Sequence, residues 1–345
     1  MGHKTNTGWF FEDYSVGQMF HHATPRTVTE GDRTAYQSLY PTRFALTSAD
    51  AFAQNCGLPR SPVDELITFH IVFGKTVPDI SLNAVANLGY ADLRFLRPVF
   101  PGETLLSRSE VIGLKQNSNG KTGIVWVRTQ GHTAAGAPVL QFCRWVMVRK
   151  RDEGAPAPAP TVPDLGQVVP AERLVVPEGL DFQDYDTGQA GAPWRWGDYD
   201  IGEVIDHVDG ITIEEAEHVM ATRLWQNTAK VHFNVQVRPD GRRLIYGGHV
   251  ISLARALSFN GLENAQMIAA INAGTHSNPC FAGDTVYAWS EILDRAETAR
   301  PDIGALRIRL VATKQAGSAG TLRNADKTYH EDVLLDLDYW TLIPV

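Results

Sequence analysis

The chain has 345 residues, 43% of them hydrophobic, and a formal net charge of -8 with a pI of about 5.8. That length exceeds one small core and points to two units. The acidic balance, with Lys and Arg scattered as in "RTQGHT" and "LRIRLVATK", excludes the basic stripe of a nucleic-acid binder.

The opening "MGHKTNTGWFFEDYS" lacks the apolar core of a signal peptide. No apolar run approaches the roughly 18 residues of a membrane span. A cytoplasmic protein with no membrane or nucleic-acid partner is expected. "EDYSVGQMFHH" then reads as a turn and a short strand. His21 and His22 could suggest a metal pair, but neighbours in a strand point to opposite faces. With no HExxH, CxxC or carboxylate-rich loop, no metal site is expected. In "TVTEGDRTAY" a Thr near the cap and acidic first-turn residues predict a helix over 30–39. The irregular "YPTRFAL" leads to a long apolar helix in "DELITFHIVFGKTV". Four strand-like segments follow, "NLGYADLRFLRPV", "ETLLSRSEVIGLKQ", "KTGIVWVRTQGHT" and "PVLQFCRWVMVRK", enriched in β-branched and aromatic residues. "NSNGKTG" lacks the spacing of a phosphate loop and reads as a hairpin turn. Cys56, Cys143 and Cys280 have no metal-ligand spacing and sit in apolar contexts, as buried thiols in a reducing compartment would.

"EGAPAPAPTVP" favours extended, polyproline-like backbone with no face to bury, and so reads as a linker. The expected units are 1–152 and 176–345, with the linker over 153–175. The second unit repeats the first. Asp13, Tyr14 and Gly17 recur as Asp198, Tyr199 and Gly202, an offset of 185. "GITIEEAEHV" parallels "TVTEGDRTAY" and predicts a helix over 214–224. Phe100, Gly102, Glu103 and Thr104 recur as Phe281, Gly283, Asp284 and Thr285, an offset of 181. Three blocks in one order at a nearly constant offset indicate a duplication. The helix "GGHVISLARALSFN" and the segments "MIAAINAGTHSN", "DTVYAWSEILDRA", "ALRIRLVATKQ" and "DVLLDLDYWTLI" complete the copy. One central helix followed by consecutive strands indicates an α+β unit, an antiparallel sheet wrapped on its helix.

This order resembles the hotdog fold. "LRFLRPVFPGETL" and, with Cys for Val, "THSNPCFAGDTV" are similar to the F-x-x-P-V-F-x-G-(D/E)-T-L phrase of the MaoC-like, or R-specific enoyl-CoA hydratase, family. The resemblance covers both halves and implies a double hotdog. Within that family, the length, the linker and "WQNTAKVHFN" resemble the mesaconyl-CoA hydratases, also called β-methylmalyl-CoA dehydratases.

The resemblance implies reversible hydration of an acyl-CoA thioester, a hydro-lyase reaction. Coenzyme A is then part of the substrate and no separate cofactor is implied. The family's G-D-x-N-P-x-H segment holds the added water through its Asp and His. "QNTAKVH" stands in that place, with His232 on the family histidine and Asn227 on the aspartate; the first half, "YPTRFAL", lacks both. That asymmetry leaves the first half free to shape the substrate tunnel. Asn227 cannot take a proton but can orient water. His232 is then the sole titrating group, suited by an ordinary pKa near ~6.5. Gly247 and Gly248 open a helix whose free N–H groups would receive the thioester oxygen, as the resemblance implies. His249 follows them, either in the pocket wall or facing solvent. A mesaconyl-type substrate carries a free carboxylate, which suits an Arg fork better than a Lys point charge. Arg43 and Arg223, in or beside the two corresponding loops, and Arg97 at the head of "RPVF" are the candidates, and the sequence does not choose among them.

Two alternatives stay open. Hotdog folds also serve acyl-CoA thioesterases, which commonly place a carboxylate on the central helix; the second-half helix has none, although Asp64 and Glu65 begin the first. A non-catalytic acyl-CoA-binding subunit is the other, kept alive by Asn227 and opposed by His232. Association into a homo-oligomer is also left open.

Overall fold

Antiparallel pairing joins ten strands into one sheet in the computed structural model, which describes residues 4–345. The first half contains β1 (Met19–Thr27), α1 (Glu30–Leu39), the short α2 (Ala45–Ser48) and α3 (Asp50–Asn55), and α4 (Glu65–Thr76). It ends with β2 (Ala84–Phe95), β3 (Thr104–Gln116), β4 (Thr122–Thr133) and β5 (Pro138–Arg149). A long connection with α5 (Thr187–Ala190) leads to β6 (Val204–Thr212), α6 (Glu215–Leu224) and α7 (Gly247–Leu257). The chain closes with β7 (Met267–His276), β8 (Thr285–Glu297), β9 (Ile303–Thr313) and β10 (Val333–Pro344).

The strand order is β1-β3-β4-β5-β2-β7-β10-β9-β8-β6. Each half repeats the other outward from the central β2–β7 pair, where Tyr90 meets Gly274 and Leu93 meets Ile271. α4 packs on β1, β3 and β5, and α7 on β6, β8, β9 and β10. All twelve residues of α4 are buried, as are ten of the eleven in α7. Burial on every side needs more than one sheet face: α1 and the Trp225 turn also pack on α4, and α6 packs on α7.

The repeated phrase proves to be turn chemistry. Gly102 and Gly283 both adopt left-handed backbone, with φ of +102° and +90°. Glu103 accepts from the Phe100 N–H at 2.8 Å and Asp284 from the Phe281 N–H at 2.9 Å. Thr104 and Thr285 pair through their hydroxyls with Thr27 and Thr212. These contacts turn the chain into β3 and β8 at matching points. α1 starts on the expected capping box, in which Thr29 and Asp32 bond reciprocally. α6 begins one residue later than the pattern suggests, at Glu215, without a side-chain cap.

His21 is exposed, whereas His22 is buried between Asp79 and Ser109 at 2.7 and 2.8 Å. "NSNGKTG" forms the β3–β4 hairpin turn, with Gly120 at φ +67°. The three cysteines are free and buried. The Ala/Pro stretch runs largely exposed, but the later part of 153–175 is docked. Val169 is buried; its N–H donates to Asn272 Oδ1 and its carbonyl accepts from the Trp340 indole. Apolar side chains in "QVVPAERLVV" find a matching face on β7 and β10, which the Ala/Pro pattern alone does not reveal.

Candidate active site

α6 ends at Trp225, and Gln226 turns the chain with φ +55°. The Asn227 N–H bonds back to the Thr222 carbonyl, and Asn227 Oδ1 accepts from the Ala229 N–H at 3.0 Å. This local turn delivers a single helical turn, Lys230–His232. His232 is buried and its Nδ1–H donates to the Leu244 carbonyl at 2.7 Å. That bond fixes the tautomer and leaves Nε2 with its lone pair free. Burial pushes the His232 pKa down to about 4, so the ring is neutral near pH 7.

The other half braces this loop. A Cβ on Gly74 of α4 would lie 2.0 Å from the Trp225 carbonyl oxygen. Only glycine lets the two backbones come this close. The Tyr246 N–H donates to His218 Nε2, and the Tyr246 ring sits 5.7 Å from that of His232. The first turn of α7 therefore opens beside the histidine, and its leading N–H groups have no carbonyl one turn back to bond.

A cavity of about 350 Å³ brings these parts together. Asn227, His232 and Gly247 line it, with Phe73, Asn87, Tyr90 and Arg144 from the first half. Gly248 lies one residue deeper, where a Cβ would fall 2.4 Å from the Tyr246 ring and 2.5 Å from His70. His249 is neither in the wall nor facing solvent: it is buried against Tyr40, whose hydroxyl lies 2.8 Å from Nδ1.

The expected arginines lie elsewhere. Arg43 is exposed and stacks over Phe259 at 4.5 Å, while Arg223 is on the exposed side of the last turn of α6. Arg97 pairs with Glu103 at 2.7 Å. None of the three lines the cavity: Arg43 and Arg223 are exposed, and Arg97 is tied to Glu103 at the turn before β3. The sequence reading missed Arg144, Asn87 and His276, all in the wall. Arg144 does leave a trace. In "VLQFCRWVMV" it occupies the inward parity with Leu140, Phe142, Val146 and Val148, where a charge is out of place.

Among the described residues, no Asp or Glu lines the cavity. Asp64 and Glu65 are buried at the start of α4, committed to the backbone N–H groups of Leu66 and Ile268. Neither lines the cavity. Six histidines are held neutral by burial. Those of His207, His232 and His276 are pushed down to about 4, and those of His70, His218 and His249 to about 3.

This has a consequence for stability. Below about 6.5 the unfolded chain protonates these rings, while the folded chain does not until the pH nears 4. The unfolded state then binds more protons, so stability falls as pH drops across that window. Each ring contributes up to about 1.4 kcal/mol per pH unit. The raised pKa values of Asp64 and Glu65 offset part of this. Urea melts at pH 7 and pH 5 should differ by several kcal/mol, with net proton uptake on unfolding at pH 5. Equal midpoints would contradict a neutral buried set.

A family model described as mesaconyl-CoA hydratase matches residues 2–321. The chain is 67% identical over 341 residues to a mesaconyl-CoA hydratase of Cereibacter sphaeroides, covering 99% of both. Among solved structures it is similar to a MaoC domain protein dehydratase from Chloroflexus aurantiacus. There the TM-score is 0.97 and the identity 58%, over 99% of each chain. A Mycobacterium tuberculosis protein described as having a double hotdog fold aligns at TM-score 0.79 and 25% identity, over 98% of this chain and 99% of that one. With two helices each wrapped by five strands of one continuous sheet, and a family model spanning nearly the whole sequence, this chain is a double hotdog and belongs to the mesaconyl-CoA hydratase family.

Proposed function

We propose that this cavity adds water across the double bond of mesaconyl-CoA to give β-methylmalyl-CoA, and runs the reverse dehydration, with His232 as the single acid/base. The hydro-lyase activity follows from the family and its named hydratase relative. The observation that carries the role of His232 is its Nδ1–H bond to the Leu244 carbonyl, which leaves a neutral Nε2 in a carboxylate-free cavity.

In the hydration direction, Nε2 takes a proton from water as the oxygen bonds to the β-carbon. Asn227 Oδ1 is occupied by the Ala229 N–H, so its amide N–H group is the part that holds the water oxygen. Negative charge moves to the thioester oxygen, where the free N–H of Gly247 at the opening of α7 receives it. The imidazolium then returns the proton to the α-carbon. A ring with pKa about 4 is a modest base but a strong acid once protonated. It therefore gives the proton back readily, and no protein carboxylate is needed.

The chemistry calls on no cofactor beyond the coenzyme A of the substrate. The three buried free thiols suit a reducing, cytoplasmic setting. No described helix is long and apolar enough to cross a membrane. The test is loss of enoyl-thioester absorbance with mesaconyl-CoA, beside crotonyl-CoA. Steady loss with mesaconyl-CoA, and a hydroxyacyl product by mass, is the expected outcome. No change with either thioester would sink the reading.

A further inference from the structure

We propose that Arg144 anchors the free carboxylate of the acyl group and so makes this cavity select a dicarboxylic enoyl thioester over a plain one. The proposal rests on the hydratase reading of the cavity and identifies the residue behind its substrate choice.

Arg144 is 0% exposed and lines the cavity from β5. Its guanidinium lies over the Phe73 ring at 4.3 Å, and Nη2 donates to Thr76 Oγ1 at 2.6 Å. Nε and Nη1 are buried without a partner. Among the described residues Arg144 bonds hydroxyls, those of Thr76 and Ser81, and no carboxylate, and its cross-strand neighbours are Tyr90 and Val127. Asn87, in the same wall, also has both side-chain polar atoms buried and unpartnered. Two side chains with idle donors lining one cavity are costly unless something pairs with them. Such unpaired donors fit an anion. Since no Asp or Glu among the described residues lines the cavity, that anion must come with the ligand.

The substrate carries one in the right region. In mesaconyl-CoA the carboxylate sits on the carbon that receives the hydroxyl group. Holding that carboxylate fixes the β-carbon for water held at Asn227 and His232. It also offsets a negative charge that would otherwise oppose attack by a water losing its proton.

The experiment compares kcat/KM for mesaconyl-CoA and 2-methylcrotonyl-CoA, which has a methyl group in place of the carboxylate. The wild type should favour mesaconyl-CoA by on the order of 10³-fold or more. Arg144→Gln should remove most of that preference by losing activity on mesaconyl-CoA, with the methylcrotonyl rate changing less than about tenfold. Arg144→Lys should recover part of it, since a point charge replaces the fork. An equal loss on both substrates would overturn the proposal, because a residue that only props the wall affects both alike. Should the variants not fold, inhibition of the wild type by succinyl-CoA and butyryl-CoA decides: much tighter inhibition by succinyl-CoA supports the anchor, and equal inhibition overturns it. If the wild type hydrates neither enoyl thioester, the hydratase reading fails, while direct binding of succinyl-CoA and butyryl-CoA by calorimetry still tests the anchor: tighter binding of succinyl-CoA supports it, and equal binding overturns it.

Discussion

His232→Gln should lower kcat for mesaconyl-CoA hydration by about 10²- to 10⁴-fold while leaving KM nearly unchanged. Glutamine is close in size and can still donate to the Leu244 carbonyl, so the loop should keep its shape. What it cannot do is accept and return a proton. The base acts on a proton in flight, and its loss therefore falls on kcat rather than on ground-state binding. Circular dichroism and the urea midpoint should stay near those of the wild type. A large rise in KM with kcat intact would instead make His232 a binding residue.

The second large effect comes from a residue that touches no substrate. Gly74→Ala places a methyl group against the Trp225 carbonyl oxygen, 2.0 Å from where its carbon would sit. Alanine normally stabilises a helix interior by about 1 kcal/mol over glycine. Here the clash is backbone to side-chain carbon, and no rotamer relieves it. Overpacking of this kind costs about 1–3 kcal/mol, so the strain wins. The relief available is a shift of α4 away from the Trp225–Asn227 turn, which moves the loop that carries Asn227 and His232. A displacement near 1 Å can cost roughly a hundredfold in rate. Stopped assays on mesaconyl-CoA with a parallel urea melt check both parts. Unchanged activity would mean that α4 does not set the position of the loop.

Much of this was legible because duplication gives two samples of one pattern. The capping box at Thr29, the turn glycines Gly102 and Gly283, and the acid–threonine pairs following them are local chemistry, and local chemistry shows in sequence. His232, Asn227 and Gly247 were found through their place in the repeat, and all three line the cavity. The misplaced residues depend on which way a side chain faces once the halves meet. His249 turns to Tyr40 of the other half, a contact across 209 residues. Arg43 and Arg223 have suitable chemistry, but their loop and helix turn them outward. Arg144 is far from the catalytic segment in sequence, and only the closing of β2, β5 and α4 around Phe73 brings it to the wall. Its one clue, a charge on the apolar parity of a strand, has meaning only once that parity is known to face a cavity.

Asn227, where the resemblance implies an aspartate, also becomes intelligible. Its Oδ1 holds the turn through the Ala229 N–H, which an aspartate could also do. A carboxylate there would share the cavity with the carboxylate of the substrate, and like charges in a buried site repel. In the proposed mechanism an amide keeps the turn and can donate to water without that repulsion, and proton transfer is assigned to His232.

The most direct measurement is the pH dependence of kcat/KM for mesaconyl-CoA between pH 4 and 8, by rapid pH jump, in the wild type and in His232→Gln. The base works unprotonated, so the wild-type rate should hold level down to about pH 5 and fall as the pH approaches about 4. His232→Gln should show only a low residual rate without that acid limb. An acid limb at the ordinary imidazole value near ~6.5, or the same limb surviving in His232→Gln, would contradict a buried, neutral His232 as the proton carrier.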